Sequence, residues 1–191
     1  DGDPKTAAIS RRGASGWQLE VKGRPAHSSQ IFKPDVGDGA IFEAARILDG
    51  FRVALSAQPN LSFNPGVIVG GTDITLDEQT SRGSAFGKSN VIAQSVRVDG
   101  DLRAISPEQL NLARQTMRRI VEAHLPGAGA SIKFDDGYPP MAPTEGTAKL
   151  LSLYSKASED YGFGPVIAIN PRNAGAADIS FVADKVDMAL D

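Results

Sequence analysis

The chain has 191 residues, a formal net charge of −3 and no cysteine. The weakly acidic balance argues against nucleic acid as the main partner, because a nucleic-acid-binding protein needs a basic face. Without cysteine there is neither a disulfide framework nor a thiolate metal site, and no apolar run is long enough to predict a membrane-spanning helix. The chain begins at Asp1 without an initiator Met and ends in a strand-like run over residues 186–191, which predicts a piece of a longer protein.

The first half of the chain predicts a strand, a helix and a second strand. Residues 16–22 alternate apolar and polar side chains, which is typical of a half-buried strand. A helix is predicted from about Asp38, the expected N-cap, with one apolar stripe along it. The stripe comprises Ile41, Ala44, Ala45, Leu48 and Phe51. Residues 61–70 predict the second strand, and Pro65 indicates an irregular start at a sheet edge.

The middle of the chain predicts a hairpin, a long strand and a second helix. Residues 71–88 are polar and rich in Gly, Ser and Thr, which favours a hairpin-like excursion. Residues 90–104 alternate as one long strand, in which Gly100 is interpreted as a bulge. The Ser-Pro-Glu-Gln run at residues 106–109 predicts a helix start with an N-cap serine. Residues 131–134 begin a fourth strand.

The resulting β-α-β-β-α-β order predicts a ferredoxin-like α+β fold. Right-handed crossovers place both helices on one face of an antiparallel four-stranded sheet, with the strands in the spatial order fourth, first, third, second. The other face is expected to stay open, with Arg103 projecting from it. Residues 144–161 and 166–169 then predict a helix and a strand that belong to an incomplete α/β unit.

Three motifs, in order along the chain, resemble the M20 family of metallopeptidases, which includes glutamate carboxypeptidase, succinyl-diaminopimelate desuccinylase and acetylornithine deacetylase. The first is Gly-Arg-Pro-Ala-His-Ser at residues 23–28. The second joins Asn-Val-Ile at 90–92 to Asp-Leu-Arg at 101–103 and Ser-Pro-Glu at 106–108. The third is Ala-Gly-Ala-Ala-Asp at 174–178. Together they cover almost the whole chain.

The resemblance implies a two-zinc catalytic domain that is interrupted by a smaller lid, or dimerisation, domain. His and Asp or Glu side chains would hold the metals, with a Glu as general base on a bridging water. The family's metal-binding motifs would lie before the first residue and beyond the last, so no metal ligand is assigned in this chain. Asp1 and Asp3 fit an exposed loop as well as a metal site. We expect residues 1–12 to be the trailing edge of the catalytic domain, 13–137 the lid and 138–191 a partial catalytic α/β domain.

The resemblance also assigns five site residues. His27 matches a lid histidine that reaches into the partner subunit's active site and stabilises the developing oxyanion. Asn90 matches a substrate-binding position, although an Asn at a strand start also caps turns. Arg103 matches an arginine that binds the substrate carboxylate, a task that suits a guanidinium fork; the alternative is a solvated arginine on the open sheet face. Gly175 and Ala176 match a segment whose backbone approaches the substrate.

Two further polar residues receive predictions. His124, which matches no family motif, is expected to cap the end of a helix through the helix dipole. Asp178 is expected either to N-cap the following helix or to contact substrate.

The function implied by the resemblance is that of a fragment, inactive alone, of a zinc-dependent hydrolase that cleaves a peptide or N-acyl amide bond next to a free carboxylate. A homodimer would form through the edge strand near residues 67–70 and the helix at 38–54; a monomer whose edge is covered by residues 71–88 is the alternative. A free-standing ferredoxin-like module that binds a small regulatory ligand is a second reading, but it does not account for residues 138–191. An RNA-binding version fails on the 6% aromatic content and the polar open face. The identity of the substrate and the cellular compartment stay open.

Overall fold

The computed structural model describes residues 3–77 and 79–191. The strands are β1 (Thr6–Ala7), β2 (Ser15–Lys22), β3 (Ser62–Gly71), β4 (Asp73–Asp77), β5 (Arg82–Phe86), β6 (Ser95–Arg103), β7 (Gly129–Asp136) and β8 (Ile167–Ala168). The helices are α1 (Gly39–Leu55), α2 (Pro107–Glu122) and α3 (Glu145–Asp160). Within the described ranges, none of the helices combines the length and the apolar character that a membrane crossing requires.

Strands β3, β6, β2 and β7 form one antiparallel sheet in that spatial order. Along the chain this order is second, third, first and fourth, as the topology predicted. The inward side chains of the sheet and those of α1 and α2 form one apolar core, in which Leu19 of β2 lies beside its register partners Val98 and Ile132. The predicted ferredoxin-like α+β fold is confirmed.

The predicted stripe of α1 is confirmed at Ala44 and Phe51, which are buried, and is wrong at Ile41 and Ala45. Ile41 is 54% exposed and Ala45 is also exposed. The apolar side chains that α1 does bury are Ala40, Ala44, Ile47, Phe51 and Leu55. Ile41 lies instead over β3, where its Cγ1 is 3.7 Å from the position of a Cβ on Gly70. It is exposed because β3 is the last strand of the sheet. Asp38 takes the N-cap position but makes no side-chain capping bond.

Trp17 lies at the centre of the core with 1% of its surface exposed. Its ring meets Phe51 edge-on, with 5.8 Å between the ring centroids. A Cβ on Gly100 would overlap the Trp17 ring, so the glycine is there to admit the indole. The predicted irregularity at Gly100 is present, but the extra residue lies in the facing strand β3: Pro65 pairs with Gly100 and Val67 with Asp99, which leaves Gly66 without a register partner in β6.

Strands β4 and β5 form the predicted hairpin, which turns back over the sheet rather than standing away from it. A Cβ on Gly83 of β5 would come within 2.7 Å of Val69 Cγ2. Val69 is the register partner of Arg97, whose side chain lies on the sheet face away from the helices. The face that was expected to stay open is therefore partly covered by the hairpin.

A second, smaller unit contains α3 and a parallel pair formed by β1 and β8. The predicted helix at 144–161 and strand at 166–169 are both present, although only two residues of that strand pair. Residues 186–191 do not form the predicted strand; Asp191 alone exchanges backbone hydrogen bonds with Ala8. The two units are joined by adjacent segments, in which Arg11 forms an isolated antiparallel bridge with Met141.

Candidate functional site

His27 lies in the loop after β2, at the start of a short 3-10 turn of residues 28–30. Its side chain is exposed, and Nδ1 accepts a hydrogen bond from the Ser29 backbone N–H at 3.2 Å. A backbone N–H can only donate, so Nδ1 is the acceptor in this contact, and it also lies 2.9 Å from the Ser29 hydroxyl oxygen. In the tautomer that matches the backbone contact, the ring N–H is on Nε2. His27 therefore keeps an N–H that is available to donate to a ligand.

Asn90 lies beside the His27 loop. Its backbone carbonyl accepts a hydrogen bond from Ser28 N–H at 2.9 Å, and the next residue, Val91, forms an isolated antiparallel bridge with His27. The side chain of Asn90 is exposed. The fold thus brings together two residues that are far apart in sequence, at the end of the sheet where β2 finishes and β6 is about to begin.

Arg103 lies at the opposite end of the sheet, as the last residue of β6. Its Nε donates to Asp101 Oδ2 at 2.9 Å, and about a third of the side chain is exposed. The strand between Ser95 and Arg103 has nine residues, so it separates the two ends by about 26 Å at roughly 3.3 Å per residue. Within one copy of the chain, Arg103 does not lie near the loop that carries His27.

Gly175 and Ala176 belong to the Arg103 end. Just before them, Arg172 Nη1 donates to the Leu61 carbonyl at 2.9 Å. Leu61 immediately precedes β3, whose first residue pairs in register with Arg103. A Cβ on Gly175 would meet nothing within 4 Å, so this part of the loop faces open space. Three of the predicted residues thus share one end of the sheet.

Arg12 is a residue at this end that the sequence patterns did not single out. Its guanidinium donates to the Ser62 hydroxyl at 2.8 Å and to the Arg172 carbonyl at 3.1 Å. Desolvation lowers the pKa of Arg12, the positive charges of Arg172 and Arg103 lower it further, and Asp101 partly opposes them. Burial is the largest cause of the lowered pKa, and the two charge contributions place Arg103 and Arg172 near Arg12 at this edge.

The structure contradicts the predicted roles of His124 and of Asp178 as caps. Helix α2 ends at Glu122 with Ala123 as C-cap, and His124 Nδ1 lies 3.4 Å from Glu43 Oε1. The N-cap position before residues 178–181 is held by Ala177, not by Asp178. Asp178 instead accepts a hydrogen bond from the Tyr138 hydroxyl. In both cases the side chain contacts a residue that is distant in the sequence and does not cap a helix.

The described part of the chain does not assemble a metal site: over residues 3–77 and 79–191 there is no cluster of three or more His, Cys, Asp or Glu side chains that could hold an ion. Asp3 accepts the Lys5 backbone N–H at 2.9 Å. Asp1 lies outside the described residues. The residues present therefore do not fit the two-zinc centre that the resemblance implies.

A family model described as a peptidase dimerisation domain matches residues 9–129. Among solved structures, the aminopeptidase PepT from Bacillus cereus has a TM-score of 0.69 and 17% identity, over 100% of this chain and 46% of its own. A tripeptidase from Staphylococcus aureus has a TM-score of 0.69 and 15% identity, over 100% and 45%. A hydantoinase/carbamoylase-family amidase from Burkholderia phymatum has a TM-score of 0.64 and 15% identity, over 96% and 42%. None of the curated proteins matches the chain.

The chain spans less than half the length of each of these solved structures. At identities this low, the likeness shows a shared fold rather than a shared reaction.

Proposed function

The chain belongs to the peptidase dimerisation-domain family of M20 proteins, and we propose that it forms the lid and part of the catalytic domain of a zinc-dependent hydrolase. In this proposal residues 13–137 are the lid, and residues 1–12 and 138–191 belong to the catalytic domain. The reaction is cleavage of a peptide or N-acyl amide bond next to a free carboxylate. The tripeptidase and the amidase among the solved relatives act on bonds of these kinds, which supports the proposed substrate class.

The single observation that carries the proposal is the separation of the predicted site residues into two groups. His27 and Asn90 lie at one end of the sheet, and Arg103 lies at the other with Gly175 and Ala176. A small substrate cannot bridge about 26 Å, so one copy cannot present both groups to the same molecule. We propose that a second copy delivers its His27 end to the Arg103 end of the first.

His27 suits the task of binding a developing oxyanion. Because Nδ1 accepts from the Ser29 N–H, the ring N–H that can donate to a substrate is on Nε2. A fixed N–H donor stabilises negative charge on a carbonyl oxygen in the transition state more than in the ground state. Arg103 offers a guanidinium to a substrate carboxylate, and it would have to share that guanidinium with Asp101.

The surface available for a second copy is the β3 edge together with the outward face of α1. Ile68 of β3 is 59% exposed, and Ile41, Phe42 and Val53 of α1 are each more than half exposed. Between α1 and β3 an apolar groove of about 570 Å³ opens, with Phe63 in its lining. An exposed edge strand beside apolar side chains favours an isologous contact that extends the sheet.

Replacing Ile68 by Asp tests this interface, because a charge on the edge strand opposes strand pairing. We expect the wild-type chain to sediment as a dimer at micromolar concentration and the Ile68→Asp variant as a monomer. Leu112, which is 58% exposed on α2, provides the control: Leu112→Asp should leave the dimer intact. A wild-type chain that is monomeric at 100 µM or so would contradict the proposed interface.

The trans arrangement is tested by mixing two inactive variants of the longer protein that contains this chain. His27→Ala should lower kcat by about 10²–10³-fold without changing metal content, and Arg103→Ala should also be nearly inactive. Half of the dimers in an equal mixture are mixed, and each mixed dimer keeps one of two sites intact, so about a quarter of wild-type activity should return. A mixture that exchanges subunits yet stays inactive would refute the trans assignment.

Zinc dependence and the inactivity of the isolated chain form a separate test. The 191-residue chain should not hydrolyse N-acyl amino acids or small peptides, because its described residues assemble no metal site. The longer protein should lose activity on chelation and regain it with Zn²⁺. Chelator-sensitive hydrolysis by the 191-residue chain would show that this part of the proposal is wrong.

A further inference from the structure

The segment of residues 171–181 contains Gly175 and Ala176, and it is held on both sides by residues at the two joins between the lid and the smaller unit. We infer that Arg12 and Tyr138, which flank the lid in the sequence, are positioning residues that tie both ends of the Gly175–Ala176 loop to the lid, so that a movement of the lid moves the loop. The inference rests on the proposed function for the role of the loop, but the contacts that carry it do not depend on that function.

The first anchor is Arg12, which lies between β1 and β2 and donates to three acceptors, two in the 171–172 turn and one in β3, through three different nitrogens. Nε donates to the Pro171 carbonyl at 3.2 Å and Nη2 to the Arg172 carbonyl at 3.1 Å. Nη1 donates to the Ser62 hydroxyl at 2.8 Å. A planar guanidinium holds three acceptors at fixed relative positions, which a lysine ammonium with its single nitrogen does not reproduce.

Arg172, within the segment, donates a second hydrogen bond to the lid. Its Nη1 donates to the Leu61 carbonyl at 2.9 Å, so adjacent lid residues, Leu61 and Ser62, are both bound to the 171–172 turn. Ser62 is the register partner of Arg103 across the β3–β6 pair. The anchor therefore fixes the start of the loop relative to the strand that carries Arg103.

The second anchor is Tyr138, which follows β7 at the other joining segment. Its hydroxyl donates to Asp178 Oδ1 at 3.1 Å, and its ring lies 5.0 Å, centroid to centroid, from that of Phe181. The hydrogen bond to Asp178, with the charge of that carboxylate, raises the pKa of Tyr138. Tyr138 is itself held to the start of the lid, because its carbonyl accepts from Ala14 N–H at 2.9 Å.

Between the two anchors the loop has little support of its own. A Cβ on Gly175 would touch nothing within 4 Å, and residues 175–177 are only partly buried. Ala174 is the exception, since it is fully buried. A segment that is not packed along its length takes its position from its fixed ends. Both fixed ends are tied to the lid, through Arg12 to Ser62 at one end and through Tyr138 to Ala14 at the other, so the distance from Arg103 to the loop depends on the lid.

Residue-resolved amide hydrogen exchange on the 191-residue chain tests the inference without substrate or metal. In Arg12→Gln, the amides of Asn173 and Ala174, which bond to the carbonyls of Asn170 and Pro171, should exchange about tenfold faster. In Tyr138→Phe, which removes one oxygen and keeps the ring contact, the Ser180 and Val182 amides should exchange roughly threefold faster.

Core and surface controls separate a positioning role from a general loss of stability. The amides of Leu19 and Val98, in the middle of the sheet, should exchange at wild-type rates in both variants. Arg119→Gln and Tyr161→Phe remove an exposed arginine hydrogen bond and an exposed hydroxyl elsewhere, and should leave the 171–181 segment unchanged.

Unchanged exchange in the 171–181 segment, or a uniform acceleration that includes the core amides, would overturn the inference. If Arg12→Gln does not fold, Tyr138→Phe decides, because it alters a single exposed hydrogen bond. Failure of this experiment would leave the proposed hydrolase function standing. A failure of the subunit-mixing assay would conversely leave the lid contacts to Arg12 and Tyr138 as they are.

Discussion

Glu43 is a fully buried carboxylate on α1, and its replacement by Gln measures how strongly one side chain holds α1 to the end of α2. Its two oxygens accept from Arg46 Nε at 2.9 Å and Nη2 at 2.7 Å, and from Leu125 N–H at 3.0 Å. Arg46 Nη2 also donates to the Ile120 carbonyl at 3.1 Å. The carboxylate is thus the centre of a network that joins α1 to the turn between α2 and β7.

The expected cost of Glu43→Gln follows from what the variant leaves unpaired. Breaking a buried ion pair by removing one partner costs about 3–5 kcal/mol. Arg46 keeps 28% of its side chain exposed and can still reach water, and Gln retains one acceptor oxygen. These two features reduce the cost, whereas the new amide N–H₂ adds to it because it would face the N–H donors of Arg46 and Leu125. We therefore expect the free energy of unfolding to fall by about 2–3 kcal/mol.

Urea unfolding followed by the fluorescence of Trp17 measures this loss, because Trp17 is the single tryptophan and is buried in the same core. Asp49→Asn is the matched control. Asp49 forms the same i,i+3 pair with Arg52 on the same helix, but both side chains are more than 60% exposed, so its loss should cost less than about 0.5 kcal/mol. Equal effects of the two variants would refute the reasoning.

The same network predicts how stability depends on pH. Burial alone raises the pKa of Glu43, but the hydrogen bonds from Arg46 and the Leu125 N–H, the charge of Arg46 and the His124 contact outweigh it, so the pKa lies below its ordinary value of 4.5. A carboxyl with a lowered folded pKa stabilises the fold above that ordinary value, and the contribution is lost as the pH falls below it. Wild type should therefore lose more stability than Glu43→Gln on acidification from about pH 5 to pH 3.

Two further substitutions test the packing and capping described above. In Gly100→Ala the new Cβ would overlap the Trp17 ring, so the free energy of unfolding, measured by urea titration, should fall by about 2–3 kcal/mol. Gly129→Ala is the control: a Cβ there meets nothing within 4 Å, and the free energy of unfolding should change by less than about 0.5 kcal/mol. Ser106→Ala removes the hydroxyl that accepts from Gln109 N–H, and should lower the free energy of unfolding by about 1 kcal/mol. Amide hydrogen exchange should then be faster in the first turn of α2.

The strands and helices were predictable because each carries a local signal. The alternation over residues 16–22 and the start signal at residues 106–109 depend only on neighbouring residues, and the strand order then follows from the handedness of the crossovers. The phase of α1 was not predictable in this way. Ile41 and Ala40 begin two overlapping apolar stripes, and the choice between them depends on where the helix lies over the sheet edge.

The candidate site was predictable only as separate residues. The motifs that contain His27 and Arg103 are local, but their placement at opposite ends of the sheet depends on the direction of β2 and β6. Arg12 and Tyr138 give no sequence signal, because their partners lie far along the chain: Arg12 bonds to Pro171, 159 residues away, and Tyr138 to Asp178. A backbone carbonyl as acceptor leaves no complementary side chain to recognise in the sequence.

The position of His27 in the lid explains why a second copy is required in the proposed site. The chain enters the four-stranded sheet at Ser15, next to the joining segments, and reaches the His27 loop only after the whole length of β2. Eight residues of strand carry the loop about 23 Å from its own joining segments, at roughly 3.3 Å per residue. The strand cannot shorten by a single residue without turning Trp17, Leu19 and Val21 out of the core. In the proposed site, β2 therefore keeps His27 away from the Arg103 of its own copy, and the Arg103 that it serves belongs to a second copy.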